Sequence, residues 1–204
     1  MPGMKSIADI IPTGSIVPVC TIDDPDRAVP LARTLQDCGI HIIEITLRTE
    51  RAFTAAENVL NECPDMCVGI GTITSAEQLQ RAKETGAQFC VSPGITERLV
   101  HAAQQLAMPY LPGVSTVSEI MAARELGLNH LKFFPAEAAG GVKTLGIFRE
   151  LFPDTLFCPT GGVNEDNHAD YLRMENVFCI GGSWPATRER IEAADWDGIK
   201  KTIR

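Results

Sequence analysis

The chain of 204 residues lacks the apolar and basic segments that membrane or nucleic-acid functions require. No window reaches the roughly 18 uninterrupted apolar residues of a membrane span. The N-terminus also lacks the pattern of a signal peptide, which is a basic region followed by a continuous apolar stretch and a small-residue cleavage site. The formal net charge of −8 argues against nucleic acid or an anionic membrane as a partner, because either would need a basic stripe. We therefore expect a cytoplasmic protein that holds any anion locally.

Metal-binding patterns are equally sparse. Cys63 and Cys67 form a CxxxC pair without a second pair or a nearby histidine. The four histidines lie on different predicted elements and show no His-x-His or His-x-x-x-His spacing: His41, His101, His130 and His168. We therefore expect no metal centre and no cofactor. The seven cysteines are an odd number, and we expect reduced thiols.

Short apolar runs bounded by glycine or proline recur along the chain and predict eight strands. They lie at residues 16–20, 41–45, 66–70, 88–92, 109–113, 130–134, 155–159 and 177–181. Because helical spacing separates them, we expect parallel strands joined by right-handed crossovers. The predicted fold is α/β, a single (β/α)₈ TIM barrel over residues 1–204 with a short extra helix within residues 1–12.

An open doubly wound sheet is the main alternative fold. Its G-x-G-x-x-G turn is missing after the first predicted strand, and the glycines cluster after strands 3, 7 and 8 instead. The positions of the glycines therefore favour the barrel.

The second predicted strand continues as EITLRT, residues 44–49. Strand alternation places Glu44, Thr46 and Arg48 on one face and the apolar residues on the other. If the apolar face meets the helices, Glu44 points into the barrel and Arg48 lies at its mouth. A structural ion pair between Glu44 and Arg48 explains the same pattern, so this alternative stays open.

Lys132 is the one lysine of six that lies inside a predicted strand, in the run HLKFF. It shares a face with His130 and Phe134, which we expect to point inward. Desolvation, together with a neighbouring cation such as Arg48, favours a neutral amine, the nucleophile that forms a Schiff base with a ketone. A lysine that reaches solvent along its stem, or a plain salt bridge to Glu44, is the alternative.

Paired glycines follow the last two predicted strands, in CPTGGVNEDN and CIGGSW. Glycines let backbone N–H groups approach an anion closely, and barrels often bind phosphate in these two loops. Gly161, Gly162, Gly181, Gly182 and Ser183 therefore predict a phosphate site. Either pair alone would equally fit a tight turn.

Together these motifs resemble the bacterial 2-keto-3-deoxy-6-phosphogluconate (KDPG) / 4-hydroxy-2-oxoglutarate (KHG) aldolase family of class I, Schiff-base aldolases. The resemblance is nearly full length, and its most specific motifs are EITLRT and KFFPAE, in this order and spacing. Further matching segments are VPV at 17–19, VGIGTI at 68–73, GAQFCVSPG at 86–94, PGVSTVSE at 112–119, FCPTGGV at 157–163 and CIGGSW at 179–184.

The resemblance implies a role for each candidate residue. Lys132 would form the Schiff base and Glu44 would be the general acid/base. Arg48 and Thr72 would hold the substrate carboxylate, Pro93 and Phe134 would shape the pocket, and Thr160 would meet a substrate hydroxyl. The phosphate would be bound by Gly161, Gly162, Gly181, Gly182 and Ser183.

The resemblance also implies a homotrimer that binds a small 2-keto acid phosphate in sugar acid metabolism, in the Entner–Doudoroff pathway. The chain departs from the family pattern in a short C-terminal segment and in His130, which we expect to be a packed residue of the bottom layer unless it tunes Lys132. Alternatives are an aldolase for an epimeric substrate, a metal-dependent lyase or epimerase, and a noncatalytic phosphosugar-binding barrel.

Overall fold

A computed structural model of the protein describes residues 6–203. The strands in this range are β1 Ser15–Cys20, β2 Ile42–Thr46, β3 Cys67–Gly71, β4 Phe89–Val91, β5 Tyr110–Leu111, β6 Gly113–Val114, β7 His130–Phe133, β8 Leu156–Pro159 and β9 Cys179–Gly182. The α-helices are α1 Ala28–Asp37, α2 Ala52–Glu62, α3 Ala76–Thr85, α4 Glu97–Gln105, α5 Val117–Glu125, α6 Gly141–Leu151, α7 His168–Leu172, α8 Arg188–Glu192 and α9 Trp196–Ile203. Three 3₁₀ helices lie at Ile7–Asp9, Pro25–Arg27 and Trp184–Ala186.

The strands form two parallel sheets. One has six strands in the order β5-β4-β3-β2-β1-β9, and the other has three in the order β6-β7-β8. Helices follow most strands, as expected for parallel crossovers. Each of the eight apolar runs overlaps one or two of these strands.

The predicted closed barrel of eight strands is wrong, because the hydrogen-bonded sheet is interrupted in two places. Pro112 divides the fifth predicted strand into β5 and β6, which belong to different sheets. Proline has no N–H to donate to a ladder, and its carbonyl accepts a bond from the Lys132 N–H on β7 at 2.8 Å. The strand thus changes partner from β4 to β7 at Pro112.

The second interruption lies between β8 and β9. Only two isolated bridges connect this pair within the described residues, Phe157 with Val177 and Thr160 with Gly181. From the first bridge to the second, the chain advances three residues on one side, from Phe157 to Thr160, and four on the other, from Val177 to Gly181. Because of this extra residue, a continuous ladder does not form. The result is a six-stranded sheet facing a three-stranded one.

Helix starts are encoded locally. Ser75 and Gln78 form a capping box at α3, Thr116 and Glu119 form one at α5, and Thr96 caps α4. The predicted extra helix within residues 1–12 corresponds to the 3₁₀ helix Ile7–Asp9 in the described part, and residues 1–5 lie outside the described residues. No helix between residues 6 and 203 is long and apolar enough to cross a membrane.

The interior between the strands is filled by large side chains beside glycines. The Phe89 ring occupies the space where a side chain at Gly69 would lie, so a Cβ there would overlap it. Phe89 is completely buried. Gly69 is therefore required by packing rather than by its backbone angles.

We expect Gly69→Ala to lower the free energy of unfolding by about 1–3 kcal/mol, because overpacking forces Phe89 or its strand to move. Urea unfolding followed by circular dichroism measures this. Gly146→Ala is the matched control, because a Cβ at Gly146 of α6 meets no atom within 4 Å. We expect it to be neutral or stabilising by about 0.5–1 kcal/mol. Equal stability of both variants would contradict the packing of Phe89 on Gly69.

Candidate active site

Two oppositely charged side chains meet in the interior. Lys132 on β7 and Glu44 on β2 are 6% and 4% exposed, and the distance from Lys132 Nζ to Glu44 Oε1 is 3.4 Å. Charge-assisted N–H···O bonds normally measure about 2.7–2.9 Å, so this pair is a loose one. Each charge makes burial of the other tolerable, and neither is locked in place.

Glycine creates the space for the Glu44 carboxylate. A Cβ at Gly71 would overlap Glu44 Oε1 and approach the Glu44 Cγ and Cδ atoms to 2.7 Å. Gly71 lies opposite Thr46 and Gly69 opposite Glu44 in the β2–β3 register. Two positions of β3 thus leave room for side chains of neighbouring strands.

Besides the Glu44 carboxylate, polarisable groups surround Lys132. Its Nζ lies 5.3 Å from the centroid of the Phe134 ring, a distance at which a cation is attracted to an aromatic face. Its register partners are Gly113 on β6 and Cys158 on β8. Apart from Glu44, no salt bridge to Lys132 is formed within residues 6–203.

Neutral thiols lie next to the charged pair. Burial raises the pKa of Cys179, and a hydrogen bond with Cys158 and the Glu44 charge raise it further. Burial, with a smaller contribution from Glu44, also raises the pKa of Cys20. These thiols therefore remain uncharged and add no competing anion.

Buried hydroxyls stand beside the carboxylate on β2. Thr46 Oγ1 donates to the Cys20 carbonyl at 3.1 Å and lies 3.0 Å from Thr21 Oγ1. Thr46 is fully buried and Thr21 is 9% exposed. Sequence reasoning did not single out Thr21, because it follows the strand and has no recognisable spacing.

Arg48 does not pair with Glu44. The structure pairs Glu44 with Lys132, and within residues 6–203 Arg48 forms no salt bridge. Arg48 is exposed just beyond the end of β2. The structural Glu44–Arg48 ion pair is therefore wrong, and a cation remains at this end of the strand without a protein carboxylate.

Thr72 adopts an uncommon backbone conformation directly after β3. Its φ angle is +63°, in the left-handed region that a β-branched residue rarely occupies. Such a conformation costs on the order of 1–3 kcal/mol and is found mostly at functional sites. Thr72 is half-buried, and its neighbour Gly71 adjoins the Glu44 carboxylate.

A hydroxyl network involves Ser92 and Gly94, the two neighbours of Pro93 in the chain. Ser92 Oγ lies 2.5 Å from Tyr110 Oη and donates to the Gly94 carbonyl at 2.6 Å. Burial raises the pKa of Tyr110 to about 12, so the phenol keeps its proton. The Pro93 carbonyl also occupies the space that a side chain at Gly113 would need.

Phe134 and Thr160 adjoin the two glycine pairs. The Phe134 ring would lie 3.1 Å from a Cβ at Gly161, and Thr160 Oγ1 would lie 2.5 Å from a Cβ at Gly181. Thr160 is buried and pairs with Gly181 through an isolated bridge. The Thr160–Gly162 segment is thereby held beside the end of β9.

The two glycine pairs differ in conformation. Gly161 and Gly162 form a turn after β8 with φ angles of +93° and +85°, which only glycine adopts readily. Gly181 ends the eighth predicted strand and Gly182 is predicted to follow it, whereas both are the last residues of β9, and Ser183 follows them. The Trp184 ring covers Gly182 where a side chain would project.

His130 lies two residues before Lys132, at the start of β7. Its ring packs edge-on against Phe178 with centroids 5.1 Å apart, and its Nδ1 is 2.9 Å from Asn129 Oδ1. Burial lowers its pKa. Within residues 6–203, no three side chains among histidine, cysteine, aspartate and glutamate are grouped to hold a metal ion.

The fold and the site define an α/β enzyme built on parallel strands with a buried amine and carboxylate. The family model described as Aldolase: KDPG and KHG aldolase matches residues 7–202. The chain belongs to this family, and the resemblance found in its motifs is confirmed.

Individual relatives are similar over almost their whole length. The KHG/KDPG aldolase of Escherichia coli K12 is 45% identical over 199 residues, which cover 98% of this chain and 93% of the relative. The 2-dehydro-3-deoxy-phosphogluconate aldolase of Pseudoalteromonas atlantica shows the same identity and coverage, 45%, 98% and 93%. The crystal structure of the KDPG aldolase of Legionella pneumophila, with pyruvate captured at low pH as a covalent carbinolamine, is 40% identical, covers 98% of both chains and has a TM-score of 0.95.

We expect Gly71→Ala to lower aldolase turnover by at least about 10²-fold. The added Cβ displaces the Glu44 carboxylate, to which the family resemblance assigns the acid/base role, and such a group contributes about 10²- to 10⁴-fold. Steady-state kinetics measure this, with circular dichroism to verify folding. Gly146→Ala again serves as the control. Wild-type turnover in a folded Gly71→Ala variant would show that the position of the carboxylate is not critical.

Proposed function

We propose that the protein cleaves KDPG to pyruvate and glyceraldehyde 3-phosphate through a Schiff base on Lys132. The observation that carries this proposal is the buried pair of Lys132 and Glu44, with 3.4 Å between Nζ and Oε1. The carbinolamine in the Legionella relative supports it, because a carbinolamine is the adduct of an amine with a ketone. The name of the E. coli relative supports KHG, cleaved to pyruvate and glyoxylate, as a second substrate.

The reaction begins with proton transfer from the Lys132 ammonium to Glu44, directly or through one water molecule. The neutral amine attacks the C2 ketone and forms a carbinolamine. Glu44 then returns its proton to the carbinolamine hydroxyl, which leaves as water, and this gives a protonated imine and restores the Glu44 carboxylate. Removal of the C4 hydroxyl proton by the Glu44 carboxylate then drives cleavage of the C3–C4 bond. The bonding electrons pass into the imine and form an enamine, and the aldehyde leaves.

Glu44 acts again in the second half of the reaction. Its proton returns to C3 of the enamine, and hydrolysis of the resulting imine releases pyruvate and regenerates the amine. A loosely held ion pair suits this exchange, because the proton must move between partners several times. The loose geometry leaves Nζ free to turn towards the ketone.

The remaining site residues bind the two ends of the substrate in this proposal. Arg48 and Thr72 hold the carboxylate of the pyruvyl half. This is consistent with the lack of a salt bridge to Arg48 among residues 6–203 and with the left-handed backbone of Thr72. Pro93 and Phe134 line the pocket, and the Thr160 hydroxyl meets a hydroxyl of the substrate. Backbone N–H groups of the two glycine pairs and Ser183 bind the phosphate: Gly161, Gly162, Gly181, Gly182 and Ser183.

A homotrimer is part of the proposal. All five exposed large apolar side chains among residues 6–203 lie on α5 and α6: Val117, Met121, Val142, Ile147 and Leu151. The two helices precede and follow β7, and their inner faces pack on the same core cluster. We call these five residues the α5–α6 patch. Exposed apolar side chains confined to two helices support a subunit interface on this part of the surface, and three subunits are what the family resemblance implies.

The cellular setting is also a proposal. We infer a single functional domain over residues 1–204, a cytoplasmic location and a role in sugar acid metabolism. The match of the family model to residues 7–202 supports the single domain. Cysteines without disulfides are typical of the cytoplasm.

Borohydride reduction tests the Schiff base. With pyruvate present, we expect borohydride to convert the imine into a stable amine, seen by mass spectrometry as one added reduced pyruvyl group on the peptide that contains Lys132. Lys132→Ala should lose both trapping and turnover, whereas Glu44→Gln should lower turnover by about 10²- to 10⁴-fold.

Two variants serve as controls for this test. Lys132→Arg keeps a positive charge beside Glu44 but forms no imine, which separates lost chemistry from lost folding. Lys83→Ala removes an exposed lysine on α3 and should leave trapping intact. Trapping in a folded Lys132→Arg variant, or KDPG cleavage at the wild-type rate, would refute the assignment.

Light scattering coupled to size exclusion tests the trimer. We expect the wild-type protein to have the mass of three chains and Ile147→Glu to shift it towards monomer, because the substitution places a charge within an apolar interface. Thr54→Glu adds the same charge to an exposed position on α2 and should leave the mass unchanged. A monomeric wild-type protein would rule out the trimer.

A further inference from the structure

A carboxylate near the phosphate turn has no part in the proposed mechanism. Glu137 lies five residues after Lys132, at the end of the KFFPAE motif, and is exposed. Its Oε1 accepts a hydrogen bond from the hydroxyl of Tyr171 on α7. Tyr171 is completely buried, so the exposed Glu137 carboxylate is hydrogen-bonded to a side chain that is fixed in the core.

The backbone of this segment runs along the Gly161–Gly162 turn. The Ala136 N–H donates to the Thr160 carbonyl at 2.8 Å, and the Glu137 N–H donates to the Gly161 carbonyl at 3.0 Å. Movement of Glu137 would therefore be transmitted to the turn.

The side chain of Glu137 also packs against the turn itself. A Cβ at Gly162 would lie 2.5 Å from Glu137 Cγ and 2.6 Å from Glu137 Cβ. The stem of Glu137 thus occupies the space over Gly162 and fixes one side of a left-handed turn that has no side chain of its own. The conformation of the Gly161–Gly162 turn therefore depends on the position of the Glu137 side chain.

The Tyr171 hydroxyl remains a hydrogen-bond donor at physiological pH. Burial raises its pKa, and the hydrogen bond and charge of Glu137 raise it further, so the phenol stays protonated over the physiological range. The pair also adjoins the start of α6, since Glu137 Oε1 and Tyr171 Oη would each lie 3.1 Å from a Cβ at Gly141. The carboxylate is therefore confined between α6 and α7.

We propose that Glu137, held by Tyr171, is a positioning residue that sets the conformation of the Gly161–Gly162 turn and thereby the affinity for the phosphate of the substrate. This inference rests on the proposed function. The inference predicts that the Glu137–Tyr171 contact affects the binding of phosphorylated substrates alone, because KHG has no phosphate to place on the turn.

Comparison of KDPG and KHG kinetics in Tyr171→Phe tests this inference. The substitution removes one hydroxyl and leaves Glu137 to be solvated by water. We expect KM for KDPG to rise by about 3- to 10-fold, the effect of one lost hydrogen bond. KM for KHG and kcat for both substrates should change less than about twofold. Competitive inhibition by inorganic phosphate should weaken in parallel with KDPG binding.

Two variants of Glu137 separate hydrogen bonding from charge. Glu137→Gln keeps the stem and an oxygen acceptor, and it should keep the KM for KDPG at or below the wild-type value. Glu137→Ala removes the stem over Gly162 and should raise that KM by at least as much as Tyr171→Phe. An equal rise of KM for KDPG in the Gln and Ala variants would overturn positioning through the hydrogen bond.

The second tyrosine of the chain provides the matched control. Tyr110→Phe removes a buried hydroxyl that bonds Ser92, far along the chain from the phosphate turn. Because this network adjoins Pro93, which is proposed to line the pocket for both substrates, any change should affect both KM values alike and leave their ratio unchanged. The inference is overturned if Tyr171→Phe leaves KM for KDPG unchanged, raises both KM values equally or lowers only kcat.

The proposed function fails in a different way. It fails if the wild-type protein neither cleaves KDPG nor traps pyruvate on Lys132, and the inference about Glu137 then falls with it. A wild-type protein that traps pyruvate and cleaves KDPG, but whose Tyr171→Phe variant shows no selective loss of KDPG affinity, refutes the inference alone.

Discussion

The ion pair of Lys132 and Glu44 is the constraint on which the site depends. A charge buried in this interior is tolerable only with a partner, so each residue requires the other to be in place. Two strands of different sheets, β2 and β7, are held across the interior at a distance suited to proton exchange. Neighbouring cysteines stay neutral because burial raises the pKa of Cys20 and Cys179, so no other anion competes for the ammonium.

Glycines on the strands provide space around this pair. Gly71 leaves room for the Glu44 carboxylate, and Gly69 leaves room for the Phe89 ring that fills the interior beside it. At the other sheet, Gly113 allows the Pro93 carbonyl to approach. Because such an interior is closely packed, one added methyl group displaces the charged side chain next to it. A substitution at one of these strand glycines therefore changes both the packing of the interior and the position of the charged side chains.

The proposed phosphate end of the site is organised by contacts between segments rather than by charge. Thr160 joins Gly181 through a bridge, and Glu137 joins the Gly161–Gly162 turn to Tyr171 in the core. Lys132 and Glu137 belong to one short segment of chain, so the proposed covalent centre and the proposed phosphate turn are linked through it. A net charge of −8 makes such local arrangement necessary, because the overall field of the protein repels an anionic substrate.

The sequence by itself determined which residues form strands, which side chains share a face and which motifs place the chain in its family. Period-two alternation was enough to put Glu44 and Lys132 inside, because strand geometry is local. Pairings between distant residues were decided only by the tertiary structure: Glu44 meets Lys132 rather than Arg48, and Tyr171 meets Glu137. The break at Pro112 and the left-handed Thr72 also escaped prediction. Strand stagger and packing, which set these features, arise from residues far apart in the chain, and no local periodicity encodes them.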